Sequence, residues 1–179
     1  MSGKKCTTVV TTNEQVNDII TLVNDIRSSL KGDYNVSAPG LAIGSTKSAV
    51  ANAAFDYQIA GVRYSKAAIA AGTAPGNDVI PEDTFGAVAF DIDAAGTITV
   101  VEAADNATGY TTAALAIAGV ADVATGKARM GYVTASGSEA DFTFGTTLLD
   151  AADTTVAYTD ADTAFEAIGS AVTLLDGQS

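Results

Sequence analysis

Val88-Ala-Phe-Asp-Ile-Asp-Ala-Ala-Gly-Thr-Ile-Thr-Val100 is the stretch on which the reading of the fold turns. Val88, Phe90 and Ile92 alternate with small or polar neighbours. Asp93-Ala-Ala-Gly96 breaks the run, and Ile98 and Val100 resume it. A period of two on both sides of a glycine-containing break marks a β-hairpin, because successive strand side chains point to opposite faces. The same pattern occurs upstream, where Phe55, Tyr57 and Ile59 lead into Ala60-Gly61 and Val62 and Tyr64 return. Further strands are expected at 129–135, 141–146 and 154–159, while 70–81, with Gly72, Pro75, Gly76 and Pro81, reads as a long loop. The stretch 110–123 is alanine-rich and suits a short helix as well as a buried strand. Short strands parted by glycine turns predict a mainly β body, an antiparallel β-sandwich or barrel, over residues 50–160.

Ahead of this body, residues 13–31 change period. Thr11 followed by Glu14 fits a capping box and Gly32 a stop. Val16, Ile19, Val23, Ile26 and Leu30 recur at spacings of three and four. That is an amphipathic, coiled-coil-type seam, and β-branched residues at both seam positions favour three strands over two. Ile20 and Leu22 widen the apolar face, so docking of the helix on its own domain stays open. The expected organisation is an N-terminal segment with an oligomerisation and anchoring helix (1–32), a linker (33–49), the β body (50–160) and a C-terminal arm (161–179).

Composition narrows the function. With 9 basic and 21 acidic residues the formal charge is −12, which phosphate backbones and anionic membrane surfaces repel. No nucleic acid and no membrane partner is expected. No run reaches the roughly 18 apolar residues needed for a bilayer span. Nor does an apolar stretch follow Lys4 and Lys5, so no secretory signal is expected. Cys6 has no partner for an intrachain disulfide and reads as an exposed thiol or a contact between chains.

Histidine is absent, which removes the Ser-His-Asp and Cys-His arrangements and histidine-bearing zinc sites. Neither standard phosphate-binding glycine motif is present. Carboxylates remain. Asp91, Asp93, Gly96 and Glu102 match positions 1, 3, 6 and 12 of a calcium-binding EF-hand loop. Ala95 stands where Asp or Asn is expected, however, and strands rather than helices flank the loop. A turn is therefore the expected role, with no metal and no cofactor. Asp150, Asp153, Asp160 and Asp162 read as a solvated acidic face, and the glycosylation triplets at Asn35 and Asn106 as chance.

Five phrases carry a family resemblance: Phe55-Asp-Tyr-Gln-Ile-Ala-Gly-Val-Arg-Tyr-Ser-Lys66, Ala71-Gly-Thr-Ala-Pro-Gly-Asn-Asp78, Ala89-Phe-Asp-Ile-Asp-Ala-Ala-Gly-Thr-Ile98, Lys127-Ala-Arg-Met-Gly-Tyr-Val133 and Phe142-Thr-Phe-Gly-Thr-Thr147. Together they resemble virion proteins of tailed bacteriophages, over about three-fifths of the chain. The resemblance implies a non-enzymatic particle component, a capsid decoration or head fibre protein, assembled in the host cytoplasm. Its implied partners are other copies of itself as a homotrimer, the major capsid or other virion proteins, and host-surface glycans. A tail-fibre piece or a calcium-dependent carbohydrate-binding adhesin module is the alternative. A carboxylate enzyme such as a polysaccharide depolymerase is the least expected.

Overall fold

The computed structural model describes residues 32–161, together with Ile20 and Val23. The chain divides into two units, Met1–Gly32 and Asp33–Ser179. Of the first, Ile20 and Val23 are helical and exposed. Val16, Ile19, Ile26 and Leu30 of the expected seam lie outside the described residues, as do Cys6, Asp162 and nearly all of the expected C-terminal arm.

The described part of the second unit is mainly β and antiparallel. Two hairpins form where the period-two pattern places them. Phe55–Ile59 (β4) and Val62–Lys66 (β5) are joined by Ala60 at φ 49 and Gly61 at φ 79. Two residues with positive φ give the mirror-image turn whose twist matches that of the strands it joins. Gly86–Asp93 (β8) and Ile98–Glu102 (β9) flank the second turn, where Gly96 takes φ 79 and its N–H bonds the Asp93 carbonyl at 2.9 Å. Lys127–Gly137 (β10) and Thr154–Asp160 (β12) extend the second hairpin to a four-stranded sheet in the order β12-β10-β8-β9. The register between β8 and β10 shifts between Arg129 and Gly131, which makes Met130 an extra residue in the ladder, a β-bulge.

Several expectations need correction. The stretch 33–49 is no linker. Tyr34–Asn35 (β1) pairs with β4, and Ala42–Ile43 (β2) pairs with Val50–Asn52 (β3). Leu41 lies in the core. The expected long loop at 70–81 holds Ile69–Thr73 (β6), paired with β3, and Val79–Ile80 (β7), paired with Phe142–Thr143 (β11). The strand expected at 141–146 shrinks to β11, because the chain turns back at once, with Thr147 N–H bonded to the Thr143 carbonyl at 2.8 Å. The ambiguous segment resolves as a helix, Ala113–Ala118 (α1), whose first turn is capped by the Thr112 hydroxyl accepting from Leu115 N–H.

Two hydrophobic clusters lie on the two faces of the four-stranded sheet. On one, Val88, Phe90, Ile92, Met130 and Val133 pack with Phe55, Tyr57 and Ile59 of β4 and with Ile80, Phe142 and Phe144. On the other, Ala87 and Ala89 meet Ala116 and Val120. Alanine there is a packing device: small side chains let α1 lie close to the sheet. That second layer is why β8 is buried on both faces.

Candidate functional site

Asp91 points to the α1 face of the sheet, beside the alanines, and is 1% exposed. A lone carboxylate there would be strongly disfavoured. Arg129, its direct cross-strand partner, answers it with Nε donating at 2.7 Å to one oxygen and Nη2 at 3.1 Å to the other. The guanidinium also donates to Tyr132 Oη at 3.2 Å and to the Ala121 carbonyl at 3.0 Å, and lies 5.2 Å from the Tyr132 ring centroid. Position 1 of the EF-hand match is therefore an ion-pair partner inside a sheet. Asp93 accepts the N–H groups of Ala95 and Thr97 in its own turn, both at 2.9 Å. Glu102 accepts from Asn77 N–H at 3.1 Å. Each carboxylate of the match meets protein donors in a different place, as a turn requires and a calcium loop does not. Among the described residues no group of three or more His, Cys, Asp or Glu side chains is placed to hold a metal ion.

The acidic face has specific work in the fold. Asp160 accepts from Gly40 N–H at 3.0 Å and Leu41 N–H at 2.9 Å, holding the approach to β2 against the end of β12. Asp150 pairs with Lys47 at 3.0 Å. Asp33 accepts from Ala60 N–H at 2.7 Å and Gly126 N–H at 3.0 Å, joining two turns distant in sequence. Both glycosylation triplets fall on buried asparagines. Asn35 donates to the Arg129 carbonyl at 2.7 Å. Asn106 donates to the Ala87 carbonyl and accepts from the Ala87 N–H, each at 3.0 Å, so its amide pairs with the strand as a backbone would.

An open cleft of about 320 Å³ lies at the end of the β4–β5 hairpin, lined by Ser37, Ala54, Phe55, Asp56, Ser65 and Lys66. Asp56 is its polar centre. It accepts from the Ser65 hydroxyl at 2.5 Å and from Arg63 Nη2 at 2.6 Å, and its own N–H donates to Ser37 Oγ at 2.9 Å. The Ser65 hydroxyl first, and Arg63 after it, hold the Asp56 carboxyl below its ordinary range. It remains a good hydrogen-bond acceptor. Lys66 Nζ is anchored on the Gly96 carbonyl at 2.6 Å and Tyr57 Oη on the Asp93 carbonyl at 3.0 Å, which lock the two hairpins together.

The sequence reading missed this cluster. Its only advance signal was the period of β4 and β5, which sets Asp56, Arg63 and Ser65 on the face opposite Phe55, Tyr57 and Tyr64. Among the described residues no helix is long and apolar enough to cross a membrane. Neither a family model, nor a curated protein, nor a solved structure matches this chain.

Proposed function

We propose that the chain is a non-enzymatic structural component of a bacteriophage virion, a capsid decoration or head fibre protein that self-associates as a trimer. The observation that carries this reading is the use of the buried and half-buried polar side chains. Asp91 with Arg129, Asp160 with Gly40 and Leu41, and Asn106 with Ala87 each join segments far apart in sequence. Satisfied buried polar groups fix a unique, rigid packing, which suits a protein that must keep its shape on a particle. The shared core between the four-stranded sheet and the β1-β4-β5 sheet supports a sandwich-like body.

The trimer reading rests on the seam of Val16, Ile19, Val23, Ile26 and Leu30, with residues 1–31 as the segment that docks on the major capsid or another virion protein. Met1 to Lys5 carries two of the nine basic residues ahead of an acidic body, so its charge suits an acidic partner surface. Labelling the protein in electron micrographs of the native particle tests the location, and a particle without it sinks the reading. Sedimentation of the purified protein should report three chains, and one chain after Ile19→Asp with Ile26→Asp, because charges in an apolar seam lack partners. A stable monomer of the unaltered chain removes the trimer.

A further inference from the structure

The outer face of the β1-β4-β5 sheet carries a row of polar side chains set by the strand register. Tyr34 pairs with Gln58 across one ladder and Gln58 with Arg63 across the next. Asp56 and Ser65, directly paired, form the adjoining row. All five therefore share one face, the face away from Phe55, Tyr57 and Ile59. Tyr34 Oη donates to Gln58 Oε1 at 3.2 Å. Gln58 is only 7% exposed, yet its Nε2 is a buried donor with no acceptor. Buried amide donors in folded proteins are nearly always paired, so this one stands out. It lies in the row next to Asp56, on the face that runs into the open cleft at Asp56 and Ser65.

We infer that this sheet face and the adjoining cleft form a calcium-independent binding site for a neutral saccharide. The inference does not rest on the virion reading, since the site is built from the fold alone. The polar groups alternate in the way a ring of hydroxyls demands. Asp56 is an ionised acceptor, Arg63 and Gln58 Nε2 are donors, and the Ser37 and Ser65 hydroxyls act as either. Asp56 is paired with Arg63 and Lys66 is held on the Gly96 carbonyl, so the charges at the cleft are already met within the protein and suit a ligand that brings none. The cleft volume falls at the low end of the roughly 300–1,000 Å³ range of small-molecule sites, which suits one or two sugar rings. Arg63, the cross-strand neighbour of Gln58, has a side chain 63% exposed, so its guanidinium is free to turn from Asp56 to a sugar hydroxyl on this face.

The test is an amide chemical-shift titration of the full chain in EDTA. Glucose, galactose, mannose and N-acetylglucosamine are added to about 10 mM, tenfold above a Kd of about 1 mM. With at least one of the four, saturable shifts should cluster at Tyr34, Asp56, Gln58, Arg63 and Ser65. The affinity should fall about tenfold or more in Arg63→Ala and in Asp56→Asn. Arg63→Ala alters an exposed side chain, and an unchanged Tm certifies its fold. Absence of saturable shifts at these residues with all four sugars overturns the inference, and so does full affinity in folded Arg63→Ala and Asp56→Asn.

Discussion

Arg129 grips both carboxylate oxygens of Asp91, at 2.7 and 3.1 Å, from the position directly opposite it in the neighbouring strand. The pair is covered by the α1 layer, with side chains 11% and 2% exposed. Two charges out of water are costly, and their attraction offsets that cost only because the geometry is two-pronged. Removing one partner leaves the other stranded. Asp91→Ala and Arg129→Ala should each destabilise the fold by about 3–5 kcal/mol. The paired replacement Asp91→Leu with Arg129→Met should recover most of that loss. Urea denaturation checks all three, and a paired variant no more stable than either single one contradicts this account.

Two of the six tyrosines should ionise late. Burial first, then the charge of Asp93 and the neighbouring Tyr64, push Tyr57 above its ordinary value, and burial followed by Asp150 does the same for Tyr158. A folded-state pKa raised above the unfolded one means that the folded state holds its proton longer. The resulting stability is complete below pH of about 10 and is lost as pH climbs through the folded values. Absorbance titration should show a late-ionising component that shrinks in Tyr57→Phe and in Tyr158→Phe. A late component untouched by both replacements contradicts the prediction.

The hairpins were legible because period two and a glycine-containing turn are both written into 55–66 and 88–100. β6 was hidden because Ile69-Ala-Ala-Gly-Thr73 has one large apolar residue, and pairing with β3 rather than its own pattern makes it a strand. β1 and β2, two residues each, leave no period to read. The site was obscured for the same reason: Gln58 joins Tyr34 only through β1. Alternation sets Asp91 on the face of β8 opposite Phe90. What sequence could not show is that α1 covers that face too, which makes Asp91 half of a buried ion pair rather than part of a turn.

Gly131 sits at the β10 bulge, where an added Cβ would come 2.3 Å from the Thr159 carbonyl oxygen and 2.7 Å from Leu41 Cδ1. Backbone cannot yield as a side-chain tip can, so Gly131→Ala must push β12 away from β10. A loss of about 1–3 kcal/mol is expected, as for other overpacked sites. Faster amide exchange should be confined to the β12 edge. A neutral effect on urea stability rules out the contact.

Asp160 holds Gly40 N–H and Leu41 N–H with its two oxygens, and Leu41 itself enters the core. Hydrogen bonds to an ionised acceptor contribute about 1.5–3 kcal/mol each when partly shielded. Asp160→Asn keeps the shape but halves the acceptor capacity, so it should lose about 1–2 kcal/mol. Exchange at Gly40 and Leu41 should accelerate well beyond that of the β8–β10 ladder. Unchanged exchange at these two amides would mean that the clamp does not act in solution.

Asp93 gives the sharpest contrast between a turn and a calcium loop. Its Oδ1 takes Ala95 N–H and Thr97 N–H while its backbone carbonyl receives Gly96 N–H and Tyr57 Oη, so four protein donors converge on this residue. Asp91 is engaged by Arg129 on the α1 side of the sheet, and Glu102 caps Asn77 N–H. Gathering the three carboxylates around one ion would break the Arg129 pair and the turn together. Calcium at about 1 mM, the range of weak extracellular sites, should therefore leave Tm unchanged. Asp93→Ala should lower stability by about 1–2 kcal/mol, the worth of two side-chain hydrogen bonds in a half-exposed turn. The loss should be the same in EDTA and in calcium. A Tm that rises by several degrees with calcium, and fails to rise in Asp93→Ala, would show that the loop rearranges around the ion.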